Sequence, residues 1–595
     1  ELPVWVNFDS DEMRMKSEAT TLEPDSNLPV LNGVRVGPNL YAEAIVEGFA
    51  HAYELVCANR DALLHSDGPL AAFADIEVRV IARNTARYEQ ILHDSFHPSF
   101  LGNAREREAF FDTLWSEVEA KPFLQKLHRA ERADLWNCDI PFFTTKPSSL
   151  TLRTSTGEKI ESAFESSPIS EAIDRIENAG PRDLALQQLL IRAALAEPEH
   201  GTKRWRLAAH GVGPRTEYAA DALSLARDIG EYLLRTAIWK DGGASWVALE
   251  ESDRGHAVTA PASSDLYSGL PGIALFLSSL ANAGADNRFA EAADAAVTEL
   301  GRLLAVEAPP GPACFTGLTG IVYALAQRDS WRCCEAMRMV EGRLSQPRFF
   351  EDIGETDVIS GLAGSILALL AASSKTGNAL LGERAVEAGK ILQARLSDHL
   401  RGGPRTSDVG AVFGLGHGPI GHALAFARLG VCTAEQPFID AAATLVQLEL
   451  SRMNDALGAD GRSDVAISWC NGVCGLVAAL LEITRTLPDV QVFESLTRLL
   501  GLVLGQADEV SDCLCHGSIG TCLIVQRAAA SGFVQPAAAA GLCQRTLARI
   551  ATLGIASGTV AGLHAPGLMD GLSGIGLGLL EMHAPGTTVD VLTIN

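Results

Sequence analysis

The sequence predicts a mainly helical protein whose stretch from residue 216 to 595 forms an α/α toroid of seven inner and seven outer helices. An α+β region precedes it over residues 1–215. Three observations carry this. A Gly-x-x-Gly element recurs seven times, starting at Gly269, Gly317, Gly361, Gly418, Gly472, Gly517 and Gly571, with steps of 48, 44, 57, 54, 45 and 54 residues. Each element leads into a run such as IALFLSSLANA or SILALLAASS, apolar nearly all round, as befits a helix enclosed by other helices. A segment with one charged and one apolar face precedes each run, the pattern of a helix with one wet side.

The outer helices are predicted at Tyr218 to Trp239, Arg288 to Val306, Gly382 to Leu400, Gln436 to Met453 and Val490 to Leu504. Two helices per period argue for a repeat architecture, and enclosed helices that hide each other's apolar surface argue for a closed ring. An open solenoid of the HEAT type shows the same alternation. Residues 1 to about 215 lack the period. There the alternation at Ile76 to Ile81 and Ser149 to Thr156 predicts strands, and Tyr41 to Leu64 and Ala104 to Ala120 predict helices. The join is placed at Glu197 to Tyr218, where Gly, Pro and charge gather.

Composition narrows the function classes. With 47% hydrophobic and 20% charged residues the chain is neither disordered nor collagen-like. The formal charge of −25 argues against nucleic acid and anionic membranes as partners. Leu266 to Ala285 is 20 residues without a charge, enough to span a bilayer, but such Gly-broken stretches recur, so they read as buried helices and the chain as not transmembrane. Twelve cysteines at irregular spacing, without a secretory leader, point to a reducing cytoplasm and thiols free to hold metal. The chain starts at Glu1 rather than Met, which is the expectation for a piece of a longer polypeptide.

The chemistry sits just before the glycines. His417 precedes the fourth element by one residue, Cys470 the fifth by two, and Cys515 and His516 the sixth by two and one. Equivalent positions in equivalent repeats lie at one end of a ring, so these side chains are expected to converge. Two thiolates and an imidazole suit zinc, and three protein ligands leave a fourth tetrahedral position for substrate. Adjacent ligands need irregular backbone, which a glycine-marked loop supplies. Asp357 lies four residues before the third element and suits either an acid beside the site or a helix cap. Asp265 and Asp570 suit caps. The competing readings are structural: Cys470 and Cys515 as small buried hydrophobes, as expected for Cys314, Cys474 and Cys522, and His417 as a core histidine. Cys513 is an alternative ligand. The Gly-x-Gly runs at Gly414 to Gly418 and Gly574 to Gly578 are not phosphate loops, since no strand leads into them.

WCNG at Trp469 to Gly472, CHG at Cys515 to Gly517 and the seven glycine pairs resemble the lanthionine cyclases, zinc enzymes with an α/α toroid. Upstream, WVNFDSDEM at Trp5 to Met13, NLP at Asn27 to Pro29, EGF at Glu47 to Phe49, RVIARNTARY at Arg79 to Tyr88 and DIPFFTT at Asp139 to Thr145 resemble the dehydratase half of class II lanthipeptide synthetases, the LanM type. The chain thus resembles the C-terminal part of a LanM: a kinase-like partial dehydratase over 1–215 and a zinc cyclase over 216–595.

The resemblance implies that Cys470, Cys515 and His516 are zinc ligands, His417 the active-site histidine and Asp357 its acidic companion. The implied reaction adds a peptide cysteine thiolate to the β-carbon of dehydroalanine or dehydrobutyrine, forming a (methyl)lanthionine thioether, with proton delivery by a histidine of pKa near 6.5. The substrate is a ribosomal precursor peptide of leader and core, the compartment bacterial cytoplasm, and an export transporter a further partner through which the enzyme associates with the membrane. One departure stands out: cyclases often carry Arg four residues before the first Cys ligand, and here that place is Ala466, with Arg462 a candidate substitute. In the family, ATP and Mg2+ serve phosphorylation of Ser or Thr before elimination. Arg79 and Thr85 match residues linked to elimination, with Arg83 as helper, whereas Arg on an alternating strand is commonly a solvated face. No ATP-binding constellation precedes Arg79, so this stretch is expected to cyclise without phosphorylating. A zinc-thiolate toroid that binds glutathione or peptide thiols without forming rings is the alternative. A toroidal glycosidase gains nothing from Cys, Cys and His in register.

Overall fold

In the computed structural model each Gly-x-x-Gly element starts an inner helix because the loop before it folds back across the first turn. In the fifth repeat a Cβ on Gly472 would stand 2.1 Å from the Ala466 carbonyl oxygen, and one on Gly475 1.9 Å from that of Trp469. Gly472 has φ −130°, which any residue adopts, so space rather than backbone freedom requires the glycine. The structure describes residues 2–7, 13–18, 29–118, 121–195, 221–251, 257–284, 286–306, 311–328, 331–346, 348–351, 353–402, 412–457, 465–488, 490, 492–505, 511–558 and 564–595. The join placed at Glu197 to Tyr218 and Arg462 lie outside them, as does Asn27.

The inner helices are Leu270–Gly284, Leu318–Ala326, Leu362–Thr376, Pro419–Thr433, Val473–Thr486, Ser518–Ala530 and Leu572–His583. All of Leu318–Ala326 is buried, as the all-round apolar pattern requires. The outer helices are Ala222–Thr236, Asn287–Val306, Trp331–Leu344, Ala379–Gly402, Gln436–Leu457, Phe493–Gly505 and Pro536–Leu553. Asn287–Val306 buries Phe289, Ala292, Ala293, Ala296, Leu300 and Leu304, one face at helical spacing.

Backbone hydrogen bonds between the loops close the ring. Tyr267 N donates to Phe315 O (2.9 Å), Phe315 N to Ile359 O (3.0 Å), Val358 N to Gly416 O (3.0 Å), Leu415 N to Trp469 O (3.0 Å), Trp469 N to Cys515 O (2.8 Å) and Cys515 N to Met569 O (2.9 Å). Met569 N then donates back to Tyr267 O (3.0 Å). Each repeat donates to the next and the seventh to the first, which excludes the open solenoid. The donor of each loop finds an acceptor only because the circle is complete.

The segment Val589 to Asn595 fills the hollow at the other end. Trp469 Nε1 donates to Leu592 O (2.9 Å), Tyr323 Oη to Asp590 O (2.9 Å) and Arg428 Nη1 to Ile594 O (2.7 Å), while Arg527 pairs with Asp590 at 2.5 Å. These partners come from repeats spaced around the ring, and Val591, Leu592, Thr593 and Ile594 are buried.

Two expectations are corrected in detail. The first outer helix stops at Thr236 instead of reaching Trp239, because Ala237 is extended and Ile238–Lys240 pairs with Gly243–Ser245 across an Asp241-Gly242 turn in which both residues have positive φ. Ala104 to Ala120 is an α-helix only over Ala104–Phe110, and then tightens to a 3-10 helix over Phe111–Glu117 that turns Phe111 and Leu114, three apart, into the core. No helix among the described residues is long and apolar enough to cross a membrane.

Residues Glu43–Gln188 form a compact unit of their own. Its antiparallel sheet runs Val78–Val80, Phe143–Thr145, Leu152–Thr154 and Lys159–Ile160 in chain order. One apolar cluster gathers Leu124, Leu127, Phe143 and Leu152, and a second gathers Tyr88, Ile91, Phe111, Leu114 and Leu135. The strands and helices expected at Ile76 to Ile81, Ser149 to Thr156 and Tyr41 to Leu64 fall within this pattern, the last as Ala42–Ala58 and Arg60–Leu64.

Candidate metal and acid–base site

Counting back two residues from each first glycine gives the positions on the mouth of the ring: Tyr267, Phe315, Ile359, Gly416, Cys470, Cys515 and Met569. The backbone ring above is built mainly from these positions, so their side chains share one rim although 302 residues of sequence separate the first from the last. The ligand atoms of Cys470, Cys515 and His516 all lie within 4.8 Å of one another. Bond lengths of about 2.3 Å to sulfur and 2.0 Å to nitrogen give ligand separations of roughly 3.5–3.8 Å around tetrahedral zinc, so this donor set fits the metal with small closure. His516 Nε2 faces the Gly558 carbonyl at 3.4 Å, an outer partner of the kind that sets a ligand imidazole's orientation.

Cys470 and Cys515 also share a hydrogen bond, so the pair releases its first proton below the usual thiol range, from Cys470, and holds the second above it, on Cys515. The Ser468 hydroxyl adds to the Cys470 side at 3.7 Å. Cys513, the alternative ligand, is outside the cluster: its thiol is buried against Ser511 and pushed up to about 12 by desolvation. Cys314, Cys474 and Cys522 are buried as expected.

His417 stands beside this group, its N–H donating to Cys470 O at 3.1 Å. Its Nδ1 meets Asp357 Oδ2 at 2.6 Å, and that hydrogen bond raises its pKa against the opposing effect of burial. Asp357 uses its two oxygens separately: Oδ1 accepts from Ser360 N at 2.8 Å in the turn that leads to Leu362–Thr376, while Oδ2 meets the imidazole. Asp265 caps, accepting from Ser268 N at 2.8 Å. Asp570 departs from the cap reading: its Oδ1 is buried without a hydrogen-bond partner, and desolvation lifts its pKa to about 6. Gly414 and Gly416 are needed for closeness to the fifth repeat, since a Cβ on Gly416 would stand 2.9 Å from Cys470 Cα.

The loop carrying Cys513 to His516 is held by Asp512, which is fully buried. Its Oδ1 accepts from Ser518 Oγ (2.8 Å) and pairs with Arg549, and its Oδ2 accepts from Ala556 N (2.8 Å). Asp512→Ala removes the carboxylate partner of Arg549 and leaves Ala556 N–H without its acceptor, and the expected cost is about 3 kcal/mol, read as a fall in the denaturation midpoint. An unchanged midpoint would mean the loop is held elsewhere.

Sequence reasoning missed two residues at this mouth. Tyr267 stands at the mouth, and burial pushes its hydroxyl far above its ordinary range, so it stays protonated. Its signal was the register, since it occupies the position of the two cysteines. His422, five residues past His417, is buried beside Thr356, which holds the backbone leading into Asp357; desolvation lowers its pKa to about 4. No local pattern announces it.

In the Glu43–Gln188 unit, Arg79 is exposed on Val78–Val80 and lies over the Phe142 ring at 5.4 Å, and Thr85 is the exposed first residue of the helix Thr85–Asp94. Arg83 differs from the helper expected of it. It is buried, with Nε 2.8 Å from Glu131 Oε1, Nη1 3.0 Å from Glu117 Oε2 and Nη2 2.9 Å from Leu114 O. Tyr88 Oη adds 2.6 Å to the same Glu131. A guanidinium held by a fully buried Glu131 and a half-exposed Glu117 ties these elements together.

Comparison with known proteins finds a separate match for each half of the chain. Residues 260–593 match the model of the lanthionine synthetase C-like proteins, and residues 1–146 match a domain of unknown function, DUF4135. The lacticin 481/lactococcin biosynthesis protein LcnDR2 of Lactococcus lactis subsp. lactis is 21% identical over 575 residues, covering 91% of this chain and 59% of that protein. The chain thus spans about three-fifths of that relative's length. Among solved structures, nisin cyclase matches 56% of this chain and 91% of its own at 17% identity and a TM-score of 0.45. With the cyclase-type model covering more than half of its residues and DUF4135 ahead of it, the chain belongs to the lanthionine synthetase C-like family, in the two-part order of a LanM-type lanthipeptide synthetase.

Proposed function

We propose that residues 216–595 form a zinc-dependent lanthionine cyclase and residues 1–215 the C-terminal part of a dehydratase, acting on a ribosomal precursor peptide. The observation that carries the cyclase reading is the meeting of Cys470, Cys515 and His516 within 4.8 Å beside the His417–Asp357 pair. Zinc, when bound, supplies a positive centre that keeps a peptide cysteine sulfur as thiolate at neutral pH. Cys470, Cys515 and His516 hold it with one position open to substrate. Asp357 holds His417 Nδ1, which turns Nε2 outward as the atom that carries the proton. His417 delivers that proton to the α-carbon of the enolate left once the peptide sulfur has bonded to the β-carbon. In this reading the buried residues Val591 to Ile594 form a floor, so peptide enters and leaves by the mouth. ATP, Mg2+ and an export transporter are proposed for the whole protein alone, in a cytoplasmic setting.

The test offers a synthetic peptide carrying dehydroalanine and cysteine, then alkylates. Cyclisation is mass-neutral, so ring closure reads as loss of an alkylatable thiol. Thiol that stays fully alkylatable while the chain binds zinc and peptide would leave the thiol-binding module as the reading.

For elimination we propose Arg79 and Thr85 at the exposed edge, with Arg83 as the buried support of that segment. The chain is expected to release phosphate from a phosphoserine peptide, and Arg79→Ala to slow release by at least about tenfold. Release unchanged by Arg79→Ala removes that residue from the reaction.

A further inference from the structure

The Glu43–Gln188 unit holds a pocket of about 500 Å³, lined by neither Arg79 nor Thr85 and large enough for a small ligand. One wall is a single face of the helix His128–Trp136, on which His128, Arg129, Arg132, Ala133 and Trp136 recur at helical spacing. The other wall carries Glu108 and Phe111. Arg83 fixes the two walls to each other: its Nε bonds Glu131 Oε1 of that helix at 2.8 Å, and its Nη2 bonds Leu114 O, in the 3-10 helix that starts at Phe111, at 2.9 Å. The pocket is therefore preformed.

Its donors are only partly spent. Arg132 is matched by two acids, Glu108 Oε1 at 3.0 Å and Asp112 Oδ1 at 3.2 Å. His128 is buried, with Trp115 packed on its ring at 4.6 Å, and its Nε2 has no hydrogen-bond partner. Even the Asp112 carboxylate stands off from that nitrogen at 3.8 Å. A buried N–H without an acceptor carries a desolvation cost that a ligand acceptor removes. Burial, with Arg132 alongside, lowers the His128 pKa, and a neutral imidazole can place its proton on Nε2 to meet an anion. Arg129 is exposed and makes no ion pair among the described residues. Both residues open their helix, where the backbone dipole is positive, behind a Leu127 side chain that cannot cap it.

We propose that this pocket binds an oxyanion, a phosphate or carboxylate borne on an apolar or aromatic group, with His128 Nε2–H and the Arg129 guanidinium as donors and Phe111 and Trp136 as the apolar wall. Arg132, already matched by its two acids, is left out of the donor set. The site uses no residue of the Gly-x-x-Gly repeats, so it stands apart from the zinc reading.

Binding is read on the full chain by fluorine NMR line broadening at one ionic strength, with fluorophenyl phosphate and fluorophenylacetate as anionic probes and fluorobenzyl alcohol as their neutral analogue. At least one anion is expected to bind and the alcohol is not, and the tighter anion names the group the pocket takes. His128→Phe keeps a ring against Trp115 and is expected to weaken binding by about tenfold or more, the worth of a hydrogen bond to a charged group. Arg129→Gln is expected to weaken it by about threefold or more, the scale for an exposed charge. Ala133→Phe pushes a ring into the pocket and is expected to abolish binding. Arg153→Gln removes the same charge from an exposed position on Leu152–Thr154, outside the pocket, and is expected to leave binding unchanged. Arg129 and Ala133 are exposed, so their variants decide the matter even where His128→Phe fails to fold. A wild-type chain that binds neither anion, or binds the alcohol equally well, overturns the proposal. Anion binding that survives both Arg129→Gln and Ala133→Phe overturns it too. A loss in Arg153→Gln equal to that in Arg129→Gln does the same, since overall charge then draws the anion.

Discussion

Cys470→Ala is expected to leave the chain folded, without zinc and without ring formation. The wild-type chain should carry about one zinc, and removing one of three protein ligands leaves an imidazole and a single thiolate, too few to hold the ion against a chelator. The alanine side chain fits where the thiol stood, because Cys470 is only half-buried and its loop is held by backbone bonds from Leu415, His417 and Trp469. Metal analysis of the intact protein and alkylation of a dehydrated peptide are therefore expected to fail together while the melting curve of the metal-free form holds. Cys515→Ala should behave alike, though its deeper burial adds a packing cost. Stoichiometric zinc in the Cys470→Ala, Cys515→Ala double variant would falsify the ligand assignment.

The second large effect separates proton transfer from metal binding. His417 is not one of the three clustered ligand residues, so His417→Asn is expected to keep zinc at the wild-type level and to slow cyclisation by about 100-fold or more, the range for losing a general acid or base. Normal turnover in that variant makes His417 structural. Asp357→Asn sharpens the test because the two oxygens of Asp357 have different duties. The amide oxygen can still accept from Ser360, preserving the cap, while the amide nitrogen offers His417 a donor in place of an acceptor and disfavours the charged imidazole. Activity is expected to fall by about tenfold or more with the melting temperature unchanged. A loss of stability with full activity would reduce Asp357 to a cap.

Much of the site could be read from the chain because the repeat supplies a ruler. Once the glycines are numbered, Cys470, Cys515, His516 and His417 fall one or two residues ahead of them, and the same steric need for glycine holds in each loop. Tyr267 obeys the same ruler, but a tyrosine among apolar residues reads as core until the closed ring brings it to the same mouth. Arg83 shows the opposite failure. Near a strand edge it reads as solvated, yet the chain turns it inward onto Glu131, 48 residues later, a partner that no local pattern names. The hairpin after Thr236 was legible in Asp241-Gly242 and was masked by the apolar spacing that seemed to continue the helix.

Sequence alone determined the number of repeats, the alternation of enclosed and half-wet helices, and the register of the reactive residues. These rest on short-range physics: helical periodicity shows within two turns, and a carbonyl that lies 1.9 Å from where a Cβ would stand admits glycine in any such loop. Tertiary structure alone decided that the seventh repeat returns to Tyr267, that Val589 to Asn595 bonds to repeats around the ring, and that the Asp357 carboxylate meets His417. Each of those depends on hydrogen bonds between groups 60 to 302 residues apart, whose partners are set by how the whole ring closes rather than by the residues beside them.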